Sequence, residues 1–236
     1  GNQYLPSIAA LNDEGFIVVW SSNSGRYSDY DVYAQRFSSH GVKLGAEFKV
    51  NELPSDSGST GDGSLVADVA TLVDGNFVVV WDSNTADSNN GGVLAKIYSE
   101  DGVAISQEFL VNDNANYAQD KPAIAALSDG GFVITWQSWP QDLNDHGVFG
   151  QRFDSQGNKV GSEFQVNSTI EGDQFQVSVA SLDDGGFIVV WEAFGQTGST
   201  DEYGIYGQRY DENGVKAGSE FLVNTTIEDN QSEATV

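Results

Sequence analysis

The chain has 236 residues, with 10 Lys and Arg against 35 Asp and Glu and a formal charge of −25. That balance argues against nucleic acid and anionic membranes as partners, because phosphate binding needs a basic footprint. Cys is absent, which excludes a disulfide framework, a thiolate zinc cluster and a thiol nucleophile.

The first element is a strand rich in small residues around Ala9 and Ala10. A turn leads into the apolar run of "NDEGFIVVW" (12–20), then a polar loop, "SSNSGRYSDYD" (21–31). The strand "VYAQRF" (32–37), the turn "SSHG" (38–41) and the closing block "EFKVN" (47–51) complete a unit. The second unit repeats the plan with "DGNFVVVW" (74–81), the loop 82–92, "VLAKIY" (93–98), "SEDG" and "EFLVN" (108–112). The third has "DGGFVITW" (129–136), the loop 137–147, "VFGQRF" (148–153), "DSQG" and "EFQVN" (163–167). The fourth has "DGGFIVVW" (184–191), the loop 192–204, "IYGQRY" (205–210), "DENG" and "EFLVN" (220–224). The tail "DNQSEATV" (229–236) matches "GDQFQVSVA" (172–180) and opens a fifth unit. The repeats fall at about 1–51, 52–112, 113–167 and 168–224, with a partial repeat over 225–236.

A period of this length in Val/Ile/Phe/Tyr-rich runs bounded by Gly, Asp and Asn predicts β-structure, not helical solenoids. Asp-Gly turns join neighbouring strands, so each unit is a four-stranded antiparallel meander. The second strand does not alternate. Phe187 to Trp191 put apolar side chains on both faces, which requires cover on both sides. Identical sheets stacked face to face supply it. With small residues on the first strand, the expected fold is an all-β, propeller-like array of four-stranded blades: four full repeats and the first strand of a fifth. The repeated Trp is expected to be packing between blades.

Arg36 and Glu47, Arg152 and Glu163, and Arg209 and Glu220 recur at one spacing, and a cross-strand ion pair is expected. Asn51, Asn112, Asn167 and Asn224 are expected to satisfy backbone groups where one unit hands over to the next. Candidate sites concentrate in the loops between second and third strands, where a rigid scaffold presents variable segments. Their carboxylates, Asp29, Asp31, Asp87, Asp142, Asp145 and Asp201, are candidate calcium ligands, since calcium takes six to eight oxygens. Their aromatics, Trp139, Tyr30, Phe194 and Tyr203, are candidate sugar-stacking residues. Trp139 stands outside the repeat pattern.

His40 and His146 occupy unlike places and no Ser/His/Asp arrangement recurs, so the chain is not expected to be an enzyme. "SLDDGGFIVVW" does not fit a sialidase Asp-box, because its Trp falls three positions too late. No 18-residue apolar run predicts insertion into a membrane. Met is absent even at position 1, as expected of a segment from a longer chain.

The blocks "DGGFIVVW", "IYGQRY" and "GSEFLVN" resemble tandem repeats of very large secreted bacterial proteins, the RTX-type calcium-binding, haemolysin-like and adhesin proteins. The resemblance spans essentially the whole chain. It implies secretion, an extracellular or cell-surface place and calcium in the surroundings. The RTX nonapeptide itself is absent, so no calcium ligand carries over. The expectation is a structural or adhesive segment that contacts another protein, a matrix or itself. The alternative is a carbohydrate-binding propeller lectin, with a glycan as partner and its sites in the inter-strand loops.

Overall fold

The computed structural model describes residues 1–23, 30–52, 65–84, 86, 91–115, 117–139, 145–196, 203–225, 231–232 and 234–235. Among the described residues, sixteen strands form four sheets. The first holds β1 (Gln3–Ala10), β2 (Phe16–Asn23), β3 (Tyr30–Phe37) and β4 (Lys43–Lys49). The second holds β5 (Ala67–Thr71), β6 (Phe77–Ser83), β7 (Gly92–Tyr98) and β8 (Phe109–Leu110). The third holds β9 (Ala118–Ala126), β10 (Phe132–Trp139), β11 (Gly147–Phe153) and β12 (Lys159–Gln165). The fourth holds β13 (Gln174–Ser181), β14 (Phe187–Phe194), β15 (Tyr203–Tyr210) and β16 (Phe221–Leu222). Every sheet is an antiparallel meander in chain order. The first strands β1, β5, β9 and β13 contact one another in turn. The sheets are blades of a propeller, as the repeat pattern predicts.

The non-alternating second strands are covered on both faces in the middle of the array. Every residue of β6 is buried, and so is every residue of β10 except Trp139. Three apolar clusters fill the spaces between successive blades, with Trp81, Trp136 and Trp191 each in one of them and fully buried. Burying one such side chain stabilises the fold by about 1.5–3 kcal/mol. Blade one differs. Its Ile17 and Val19 face blade two and are buried, while Phe16, Val18 and Trp20 are only half-buried. Among the described residues no further sheet lies over that second face.

The turn between first and second strands needs a residue at positive φ. Gly75, Gly130 and Gly185 supply it at 90°, 89° and 90°, and Glu14 fills the same place at 67°. A second recurrent feature was not predicted. Leu5, Lys121 and Gln176 adopt φ of 49°, 49° and 54° at one equivalent point of β1, β9 and β13. Each marks a β-bulge where the inner strand slips register against its neighbour. Bulges re-aim side chains and gather near functional sites.

The repeated Asn works at the handover between blades. The Oδ1 of Asn51, Asn112, Asn167 and Asn224 accepts the backbone N–H of Val32, Val93, Val148 and Ile205, at 2.8–2.9 Å. The Nδ2 of Asn112 and Asn167 donates to Gln119 and Gln174, at 3.0 and 2.9 Å. Those glutamines start the next blade. The expected Arg–Glu pair is replaced by another arrangement. Arg36 bonds Asp13 at 3.0 Å and Arg152 bonds Asp129 at 2.9 Å, while Arg209 bonds Asp184. Each acid lies in the blade's own first turn. Glu163 and Glu220 turn instead to the chain leaving the preceding blade.

The tail repeats this handover. Gln174 donates its backbone N–H to the carbonyl of His146 at 2.9 Å, and Gln231 does the same to Tyr203 at 3.4 Å. Ala234 and Thr235 then stand beside the inner strands. The described tail residues Gln231, Ala234 and Thr235 therefore lie where the first strand of a fifth blade would run.

Candidate functional site

Register places four residues at one level around the propeller axis, and Thr235 of the tail matches them in sequence. Ser7, Asp68, Ala123 and Ser178 lie opposite Val19, Val80, Thr135 and Val190 of their own second strands. Thr235 follows Gln231 as Ser178 follows Gln174. The residues just before this level, together with Asp68, Ala123, Ser178 and Thr235, line an axial cavity of about 430 Å³. Its wall includes Leu5, Pro6, Pro122 and Gln176, beside Asp68 and Thr235. The bulges of β1, β9 and β13 thus sit at the cavity wall. A volume of this order is typical of small-molecule sites.

Asp68 is the single ionisable group on the described ring. Its carboxyl accepts the Ser7 hydroxyl at 2.6 Å, its neighbour Val69 N–H at 2.8 Å and the Ile124 N–H at 3.0 Å. It joins three blades at the axis. Burial pushes its pKa up, against the lowering effect of these three bonds.

A second polar layer comes from the residue after each repeated Trp: Ser21, Asp82, Gln137 and Glu192. All four are buried. Ser21 donates to the Leu65 carbonyl at the entry of blade two, and Gln137 accepts from Gln176 N–H at 3.2 Å. Asp82 accepts from Val66 N–H at 2.7 Å and from the backbone of Lys121. Burial, then the nearby charge of Asp120, pushes the Asp82 carboxyl up to about 8. At neutral pH it holds its proton, and a buried carboxyl kept protonated in this way is able to act as an acid.

Asp29, Asp87, Asp142 and Asp201 lie outside the described residues. Asp31 is engaged by Lys49 at 2.7 Å and Asn51 at 3.2 Å. Asp145 lies beside His146. Among the described residues no three His, Cys, Asp or Glu side chains are grouped to hold a metal ion. Tyr30 is buried against the blade core, 6.3 Å from the Tyr4 ring. Phe194 and Tyr203 pack on each other at 4.9 Å, with Phe175 edge-on to Tyr203 at 5.6 Å. Trp139 alone of the four is exposed, at 52%. Sequence reasoning missed Asp68 and Asp82. The available signals were an acid inside the apolar strand "LVADVATL" and a polar residue after every repeated Trp.

No family model and no curated protein matches the chain. Solved structures do. An α-L-arabinanase of Penicillium chrysogenum complexed with arabinobiose superposes with a TM-score of 0.62 at 15% identity, over 94% of this chain and 67% of the other. An α-L-arabinofuranosidase of Fusarium graminearum, also with arabinobiose, gives 0.62 at 11% identity, over 94% and 66%. An endo-arabinase of Bacteroides thetaiotaomicron gives 0.54 at 14% identity, over 89% and 77%. The shared fold is the β-propeller. At these identities the likeness carries the fold and not the substrate. It still corrects two expectations. These solved structures are arabinanases and an arabinofuranosidase, not RTX-type repeats, so the resemblance to haemolysin-like and adhesin proteins does not stand. The reading as a non-enzymatic structural or adhesive segment is overturned with it, because the solved structures that share this fold are an arabinanase, an arabinofuranosidase and an endo-arabinase.

Proposed function

We propose that this chain is a carbohydrate-active propeller that takes a neutral glycan of the arabinose-polymer class at the axial cavity. The observation that carries the reading is the cavity itself, with a fixed carboxyl, Asp68, on a ring of small residues. The arabinobiose complexes of two propellers of this fold support it. The charge of −25 disfavours acidic glycans by repulsion. Polymers of this kind are met outside cells, which makes an extracellular place of action part of the proposal.

Calorimetry with arabinobiose tests the reading. Binding to the native chain, weakened at least tenfold by Asp68→Ala, supports it. Equal binding by both proteins, or none by the native chain, overturns it.

The Asp82–Asp120 pair lies beside the cavity lining, where Asp82 bonds the N–H of the lining residue Val66, and it favours a second, hydrolytic reading. In that reading protonated Asp82 gives its proton to the leaving glycosidic oxygen, and Asp120 is assigned the role of base that takes one from the attacking water. The sum is one water added across one C–O bond. Release of reducing ends from arabinan, abolished in both Asp82→Asn and Asp120→Asn, is the expected result. Release unchanged in either variant sinks this reading.

A further inference from the structure

Trp139 ends β10, at the same face of the propeller as the axial cavity. It pairs with Ala118 at the start of β9, whereas Thr135 pairs with the ring residue Ala123. The four residues from Thr135 to Trp139 carry the chain about 13 Å along the strand. There the indole is half exposed, 6.4 Å from the ring of His146. The equivalent residue of blade four, Phe194, packs on Tyr203. Trp139 is thus an aromatic face held outside the blade core.

His146 is fixed on both sides. Its Nδ1 lies 2.9 Å from Asp173 Oδ1, and its backbone N–H donates to the same oxygen at 3.2 Å. Its carbonyl accepts the backbone N–H of Gln174 at 2.9 Å. With Nδ1–H given to Asp173, the other ring nitrogen is an acceptor. An open apolar ring beside fixed polar groups suits a ligand with one apolar face and a rim of hydroxyls, which is a sugar.

We propose that Trp139, His146 and Asp173 form an outer glycan subsite, so that the ligand is a chain running from the axis to the edge of blade three. The proposal rests on the axial reading for the direction of that chain. The indole stacks on a sugar ring, while His146 and Asp173 accept hydrogen bonds donated by its hydroxyls. Because Trp139 sits on a strand and His146 is clamped, little ordering is lost on binding.

Affinity electrophoresis of the native chain in gels containing soluble arabinan tests the subsite. Retardation by arabinan that weakens about tenfold in Trp139→Ala and is largely kept in Trp139→Tyr supports it. Equal retardation of native and Trp139→Ala protein, or none of the native protein, overturns it. Asp68→Ala run beside them separates the two ideas. If the axial reading fails and the subsite stands, Asp68→Ala is retarded like the native chain while Trp139→Ala is not.

Discussion

Glu163, on the outer strand of blade three, accepts a hydrogen bond from the backbone N–H of Asp113, where the chain leaves blade two, at 2.7 Å. Glu220 does the same for Ser168 at 2.6 Å, and Glu108 for Glu52. The recurrent glutamate therefore ties one blade to the exit of the one before it. Removing Glu163 in Glu163→Ala should cost about 1–2 kcal/mol, the range for a charge-assisted bond at a half-buried site. A double-mutant cycle with Arg152→Ala should show little coupling, since the two residues serve different partners. Coupling above about 1 kcal/mol in urea melts would restore the cross-strand pair.

Asn167 makes a buried three-way junction, accepting from Val148 N–H and donating to Gln174 Oε1 and Thr169 O, each at 2.9 Å. Asn167→Ala leaves these groups without partners. A loss of about 2–3 kcal/mol is expected, read as a lower urea midpoint. A midpoint within error of the native one would count against the junction.

Glu14 holds the turn position that glycine holds in the other three blades, at φ 67°. Glu14→Gly relieves that strain but loosens the unfolded chain. The net expectation is a gain of up to about 1 kcal/mol, seen as a rise in Tm. A fall in Tm would show that the side chain contributes something the backbone argument omits.

Asp82 makes stability depend on pH. Its carboxyl is raised from 3.8 to about 8 in the fold, by burial first and by Asp120 second. Between those values the unfolded chain has lost the proton that the folded chain keeps, so this group's contribution falls as pH rises from about 4 to about 8. Asp82→Asn removes the effect. The variant should gain stability over the native chain progressively across that window, and parallel pH profiles would refute the assignment.

The fold was legible because blade packing writes itself into local patterns. Phe187 to Trp191 cannot face water on either side, and Asp-Gly before each such run marks its turn. Burial of β6 and β10 follows directly. The partners of Arg152 and Glu163 were not legible. Spacing within one hairpin allows them to meet, and only the neighbouring blade shows that each has a better partner elsewhere. The axial site was hidden for a related reason. Asp68 and Ser7 are far apart in sequence and meet only when two repeats curve around a common axis. The loop aromatics divide in the same way. Tyr30 and Phe194 look like Trp139 in sequence, but the space beside each decides whether it folds inward.

The single acid among the ring's small residues has a directional consequence. Near-identical walls on every side would offer a guest several equally good orientations and no way to choose. Asp68, backed by the Ser7 hydroxyl, breaks that rotational degeneracy. A molecule settling on the axis would find one preferred bearing, set by one carboxyl among neighbours that carry no charge.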